Sequence, residues 1–190
     1  VYATSAATPW LPAVYGCAPA EAAIVLTAPD AADLLLRLGE PRGLTGPAFQ
    51  IGLDDVLVVT QPQVGVGQLS PTQVEALFAG QFVNWRDVGG ADLAVQVWTF
   101  ADTVDVQSFF NRAILHDRPV SSMARLAVSA QDMSDSVGSI PGSIGVLPRR
   151  WKTENTHEAQ MVASLPVLAL PGEAPQGGLA ELIACLQARQ

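Results

Sequence analysis

The hydroxyl residues Thr4, Ser5 and Thr8 stand between a short run, Val1–Ala3, and a segment where Pro9, Trp10, Leu11, Val14 and Tyr15 have helical spacing. A strand end, a hydroxyl-rich turn and a helix start leave backbone N–H groups pointing outward, which suits an anion. The same hydroxyls serve equally well as helix caps. Asp54 and Asp55 form a carboxylate pair, but adjacent residues of a strand point to opposite faces, which argues against a shared acid–base or metal site. His116 and His157 lie far apart in polar stretches, without ligand spacing. Cys17 and Cys185 stand near opposite ends of the chain. They are either two buried thiols or one disulfide, and an exported protein favours the disulfide. There is no GxSxG, HExxH or P-loop, and Gly65-Val66-Gly67 reads as a linker turn. The expectation is a non-enzyme with no metal and no cofactor.

Composition narrows the class further. The chain has 190 residues, a net charge of -8 and 15% charged residues, the last against roughly 25% in ordinary domains. An acidic chain with no basic run longer than Arg149-Arg150 excludes nucleic acid and anionic membranes as partners. A 49% hydrophobic content argues against disorder. No apolar stretch approaches the roughly 18–20 residues of a membrane span. The chain opens on Val1 rather than Met, which is read as a signal peptide already removed.

The elements that must position these residues alternate, which predicts an α/β fold. Ala23–Thr27 reads as a short strand. Residues 30–38 read as a helix, or alternatively as a buried strand over 33–37. Phe49–Thr60 reads as one long strand with a turn or bulge at Asp54-Asp55. Ser70 caps a helix whose first residue is Pro71, and Gly80 stops it. Ala94–Phe100 is a predicted strand, and Asp102 or Thr103 is expected to open the next helix. A short helix near 131–137, strands at 143–147 and 167–170, and a helix over 179–188 complete the reading.

Residues 69–90, LSPTQVEALFAGQFVNWRDVGG, resemble a segment of the phosphate-type periplasmic binding proteins, the substrate-binding components of ABC importers. Leu69, Ser70, Gln73, Leu77, Phe78, Gly80, Asn84, Trp85, Gly89 and Gly90 carry the resemblance. Residues 95–100 and 138–147 are similar to flanking strands of that family. The resemblance implies a two-lobed type II periplasmic-binding-protein fold with a central cleft. Lobe one would be residues 1–60 plus 145–190, lobe two residues 61–144, and a Cys17–Cys185 bridge would lie within lobe one. It also implies a small-molecule or oxyanion ligand, an ABC permease as partner, a monomer, and an extracytoplasmic location, free or lipid-anchored.

Carried over residue by residue, the resemblance places Ser5 and Thr8 on the first ligand-binding turn. Glu40, in Gly39-Glu40-Pro41, takes the place of an acidic residue after the second strand, with Arg37 beside it. At the third place the family's phosphate binders carry Arg-x-x-x-Ser-Gly-Thr. Here Thr99 stands for the Arg, Thr103, Val104 and Asp105 stand for Ser-Gly-Thr, and Asp102 lies alongside. One cation is lost and two carboxylates are gained, so the expected ligand is neutral or cationic rather than phosphate. The alternative expectation is a binding-protein-like sensor or interaction domain with no transport role.

Overall fold

A computed structural model describes residues 1–189. The chain divides into two units, Val1–Asp54 together with the chain from Ser164 onward, and Asp55–Ala163.

In the first unit, β1 (Tyr2–Ala3) runs parallel to β2 (Leu34–Leu38), with Tyr2 opposite Leu35 and Ala3 opposite Leu36. A 3-10 turn at Ser5–Trp10 and α1 (Leu11–Gly16) lie between them in sequence. The first part of β3 (Phe49–Thr60) follows. Leu34, Leu36 and Leu38 alternate onto one buried face of β2, as a half-buried strand requires. The strand reading of residues 33–37 therefore prevails over the helix reading. Antiparallel to β2 lies the C-terminal part of the last strand, from Val167 opposite Leu38 to Pro171 opposite Leu34. Gly52 of β3 lies under the ring of Trp10, and a Cβ there would collide with that ring.

Ala23–Thr27 is not a strand. It makes two backbone bonds to the chain start, Val1 N–H to the Val25 carbonyl at 2.8 Å and Thr27 N–H to the Val1 carbonyl at 3.1 Å. Val25 and Leu26 remain exposed. Apolar β-branched residues form a strand only where a sheet face receives them.

In the second unit, the rest of β3 pairs antiparallel with a strand at Ser143–Pro148, from Val56 opposite Pro148 to Thr60 opposite Ile144. The chain then passes through α2 (Pro71–Phe78), β4 (Gln96–Thr99), α3 (Asp105–Ala113), β5 (Arg125–Leu126), α4 (Ala130–Ser139) and β6 (Ser143–Pro148). β4 is parallel to both β5 and β6, and the helices supply the crossovers that parallel strands need. Phe78 and Phe110 are fully buried, with ring centroids 4.6 Å apart. The last strand, β7 (His157–Pro171), starts in this unit and continues into the first, where α5 (Gly177–Ala188) follows. It is far longer than the apolar stretch 167–170 announced, because its first half is mixed polar and apolar.

Asp54-Asp55 makes no turn, and β3 runs through it unbroken. Asp54 is buried. Asp55 accepts from Arg149 Nε at 2.8 Å, and Arg149 also reaches Glu158 at 2.8 Å. The hydrogen bond to Glu158, then that to Asp55, holds the Arg149 guanidinium even further above its ordinary range.

Ser70 accepts from Gln73 N–H while the Gln73 side chain accepts from Ser70 N–H, a complete capping box with Pro71 in the first turn. Ser70→Ala is expected to cost about 1 kcal/mol. A shift in the urea midpoint at unchanged slope would report it.

Candidate functional site

The eight residues that sequence reasoning singled out fall four in each unit. In the first unit, parallel pairing of β1 and β2 sets their C-terminal ends side by side. The loops leaving such strand ends are where α/β folds place ligand contacts. Thr4 N–H donates to the Leu36 carbonyl at 2.9 Å, so the turn carrying Ser5 and Thr8 starts beside the end of β2. Ala7 and Thr8 N–H both bond back to the Thr4 carbonyl, and Thr8 Oγ1 donates to the Ser5 carbonyl at 3.0 Å. The helical start is thus a 3-10 turn, and neither hydroxyl is its cap. Ala6 and Ala7 are buried beneath it.

Arg37 points to the face of β2 opposite the buried leucines, and its Nε donates to the Gly39 carbonyl at 2.9 Å. Gly39, with φ +70°, turns the chain, and Glu40 follows as an exposed side chain. Gly39 N–H bonds the Pro166 carbonyl at 2.8 Å, which ties this turn to β7. The unit thus presents hydroxyls, a guanidinium and a carboxylate on neighbouring strand ends.

In the second unit, Thr99 ends β4 and its Oγ1 donates to the Phe100 carbonyl at 3.1 Å. α3 begins at Asp105, after Val104, which supplies no side-chain cap. This corrects the expected opening at Asp102 or Thr103, both of which lie in the exposed turn before the helix. Asp105 is instead inside the first helical turn and only 4% exposed, its Oδ1 accepting from Val106 N–H at 3.0 Å. A carboxylate there is favoured by the helix dipole.

A chain of amides joins this turn to the helix. Gln107, fully buried, accepts from Phe100 N–H at 3.0 Å and donates to Asn111 at 2.7 Å. Asn111 donates to Asp102 at 2.9 Å. Gln107 and Asn111 were not among the predicted residues. Their i, i+4 spacing, with polar amides on a helix that carries Phe109 and Phe110, was the available signal. The network fixes the Asp102 carboxylate at the mouth of the turn.

The cysteines do form one disulfide, Cys17 to Cys185, with the Cα atoms 5.7 Å apart. It links the end of α1 to α5 within the first unit, next to an Arg189 hydrogen bond to the Gly16 carbonyl. Among the described residues no helix is long and apolar enough to cross a membrane.

No protein-family model matches the chain. The phosphate-binding protein PstS of Bacillus subtilis is 22% identical over 119 residues, which take in 61% of this chain and 39% of that protein. A protein from Clostridium perfringens, assigned as a phosphate ABC transporter substrate-binding protein and solved with bound phosphate, superimposes with a TM-score of 0.84. It is 13% identical, over 97% of this chain and 90% of that one. The regulatory domain of CcmR from Synechocystis, solved with 2-PG, matches with a TM-score of 0.66 and 13% identity, over 99% of this chain and 94% of that one. The fold is that of the type II periplasmic-binding proteins, as the residue 69–90 block implied. The likeness extends to binding proteins and to regulatory domains alike.

Proposed function

We propose that the chain is an extracytoplasmic solute-binding protein that captures a small ligand for an ABC importer. The observation that supports this reading is the likeness of fold, over almost the whole chain, to a substrate-binding protein solved with its anion. A disulfide suits an oxidising, extracytoplasmic compartment. In this reading the residues that contact the ligand are Ser5, Thr8, Arg37, Glu40, Thr99, Asp102, Thr103 and Asp105.

The ligand is neutral or cationic. At an effective dielectric near 20, two like unit charges 4 Å apart repel by about 4 kcal/mol. The second unit offers a doubly charged anion Asp102 and Asp105 where a guanidinium would be needed. A thermal-shift series with phosphate, sulfate, molybdate, phosphonates, amino acids and divalent cations tests this. A true ligand at a hundred times its Kd adds about 2.7 kcal/mol, which raises the melting temperature by roughly 5–11 °C. Phosphate is expected to give no shift, and a shift of that size for phosphate would overturn the ligand class.

The likeness to regulatory domains supports a second reading, a ligand sensor without transport. A ligand that stabilises the chain while leaving its radius of gyration in X-ray scattering unchanged favours that reading.

A further inference from the structure

β5 is the outermost strand of the second unit's sheet, and its backbone is used on one side only. Ala127 N–H donates to the Thr99 carbonyl at 2.8 Å. Alternation along the strand then turns the N–H and C=O of Leu126 outward. An edge of this kind is a template for another strand. Its surroundings are unusually apolar. Met123 and Val128 are each 85% exposed, Val83 70% and Leu126 59%, four of the nine large apolar side chains that the described residues leave exposed. Val83 and Met123 border a notch of about 240 Å³ floored by Leu77 and Val97. A clustered apolar surface marks a docking site more often than scattered residues do.

Charge identifies the occupant. The stretch from Arg112 to Arg125 holds three arginines against the single carboxylate of Asp117, in a chain of net charge -8. Arg118 is paired with Glu75 at 2.7 Å. Arg125 lies 5.7 Å from the centre of the Trp98 ring, and among the described residues no carboxylate pairs with it. Within β5, Leu126 projects to one face and Arg125 to the other, since successive side chains alternate, and Val128 follows in the bend before α4, its N–H donating to Asp132 at 2.9 Å.

We propose that this edge receives an extended segment of a partner protein in which apolar and acidic side chains alternate. The segment adds to β5 as a strand, its backbone bonding Leu126, its apolar face covering Leu126, and its carboxylates facing Arg125. A second copy of this chain is a poorer occupant, because it would set Arg125 against Arg125 rather than against a carboxylate.

The test uses the intact, isotope-labelled protein and two capped octapeptides, (Val-Glu)4 and (Val-Lys)4, followed by amide NMR. The acidic peptide is expected to shift the amides of residues 124–128, with at least tenfold weaker binding for the lysine peptide and for Arg125→Glu. A (Val-Glu)4 peptide methylated on alternate backbone nitrogens tests the strand addition without altering the protein, and should lose binding. The proposal is overturned by equal binding of the two unmethylated peptides, by shifts confined elsewhere, or by no shift at millimolar peptide. Sedimentation showing a dimer whose dissociation moves the same amides would assign the edge to a second copy and overturn it too.

Discussion

Replacing Cys17 and Cys185 together by alanine lowers the stability of the first unit by about 5 kcal/mol. The bridge joins residues 168 apart in sequence, and the chain-entropy relation for a loop of that length gives about 5 kcal/mol of lost denatured-state freedom. At roughly 2–4 °C per kcal/mol for a chain of this size, the melting temperature falls by about 10–20 °C. Calorimetry of C17A/C185A against the oxidised wild type measures it, and dithiothreitol on the wild type provides the same comparison without a mutation. A drop under about 3 °C would mean that α1 and α5 hold together without the cross-link. The rest of the connection between them is light. α1 is a single short helix, and a polar contact between these segments is the Arg189 bond to the Gly16 carbonyl at 2.8 Å.

Trp85→Ala carries the second large effect, a loss of about 3–5 kcal/mol from the second unit. Trp85 is 0% exposed. Its Nε1 donates to the Gly142 carbonyl at 2.8 Å, from a 3-10 turn that Asn84 caps through Arg86 N–H. The same Gly142 carbonyl accepts from Gln96 N–H at 2.9 Å, so the indole secures the turn that leads into β6 and the start of β4 together. Gly142 has φ +76°, and a Cβ there would run into the Ala94 carbonyl, which leaves the turn no other residue. Trp85→Phe keeps most of the volume but loses the N–H and part of the indole ring, so it should cost about 1–2 kcal/mol. Urea unfolding should place the two variants in that order. Equal losses would mean that the hydrogen bond, not the packing, carries the effect.

What could be read from the sequence was what local chemistry decides. Ser70, Pro71 and Gln73 announced the start of α2 because capping involves neighbours only. Trp85 and Phe78 belong to the block that carries the family resemblance, and both are fully buried. The errors arose where a distant partner decides. Ala23–Thr27 has the composition of a strand, but no ladder forms along it. Asp54-Asp55 reads as a break, yet the strand continues because Arg149, nearly a hundred residues on, takes up the second carboxylate. At the candidate site, Asp102 and Thr103 looked like caps. The bond from Gln107 to Phe100 N–H instead holds the preceding turn and moves the helix start to Asp105. The residues likened to ligand contacts were found through a family pattern, while Gln107 and Asn111, which position one of them, belong to no such pattern.

The discontinuity of the first unit bears on how the chain is made. The second unit is one uninterrupted stretch of about 110 residues, whereas the first is completed only by the chain from Ser164 onward. At roughly 5–20 residues per second, synthesis of the intervening stretch takes on the order of ten seconds. During that time Leu34, Leu36 and Leu38 have no β7 to pair with, and Cys17 has no Cys185. The order of maturation is therefore built into the connectivity. The inserted unit can fold while the nascent chain is still growing, and the segment that precedes it must remain open until β7 and α5 have been made. Oxidation of the cysteines can follow only then, and it records that α1 and α5 have met.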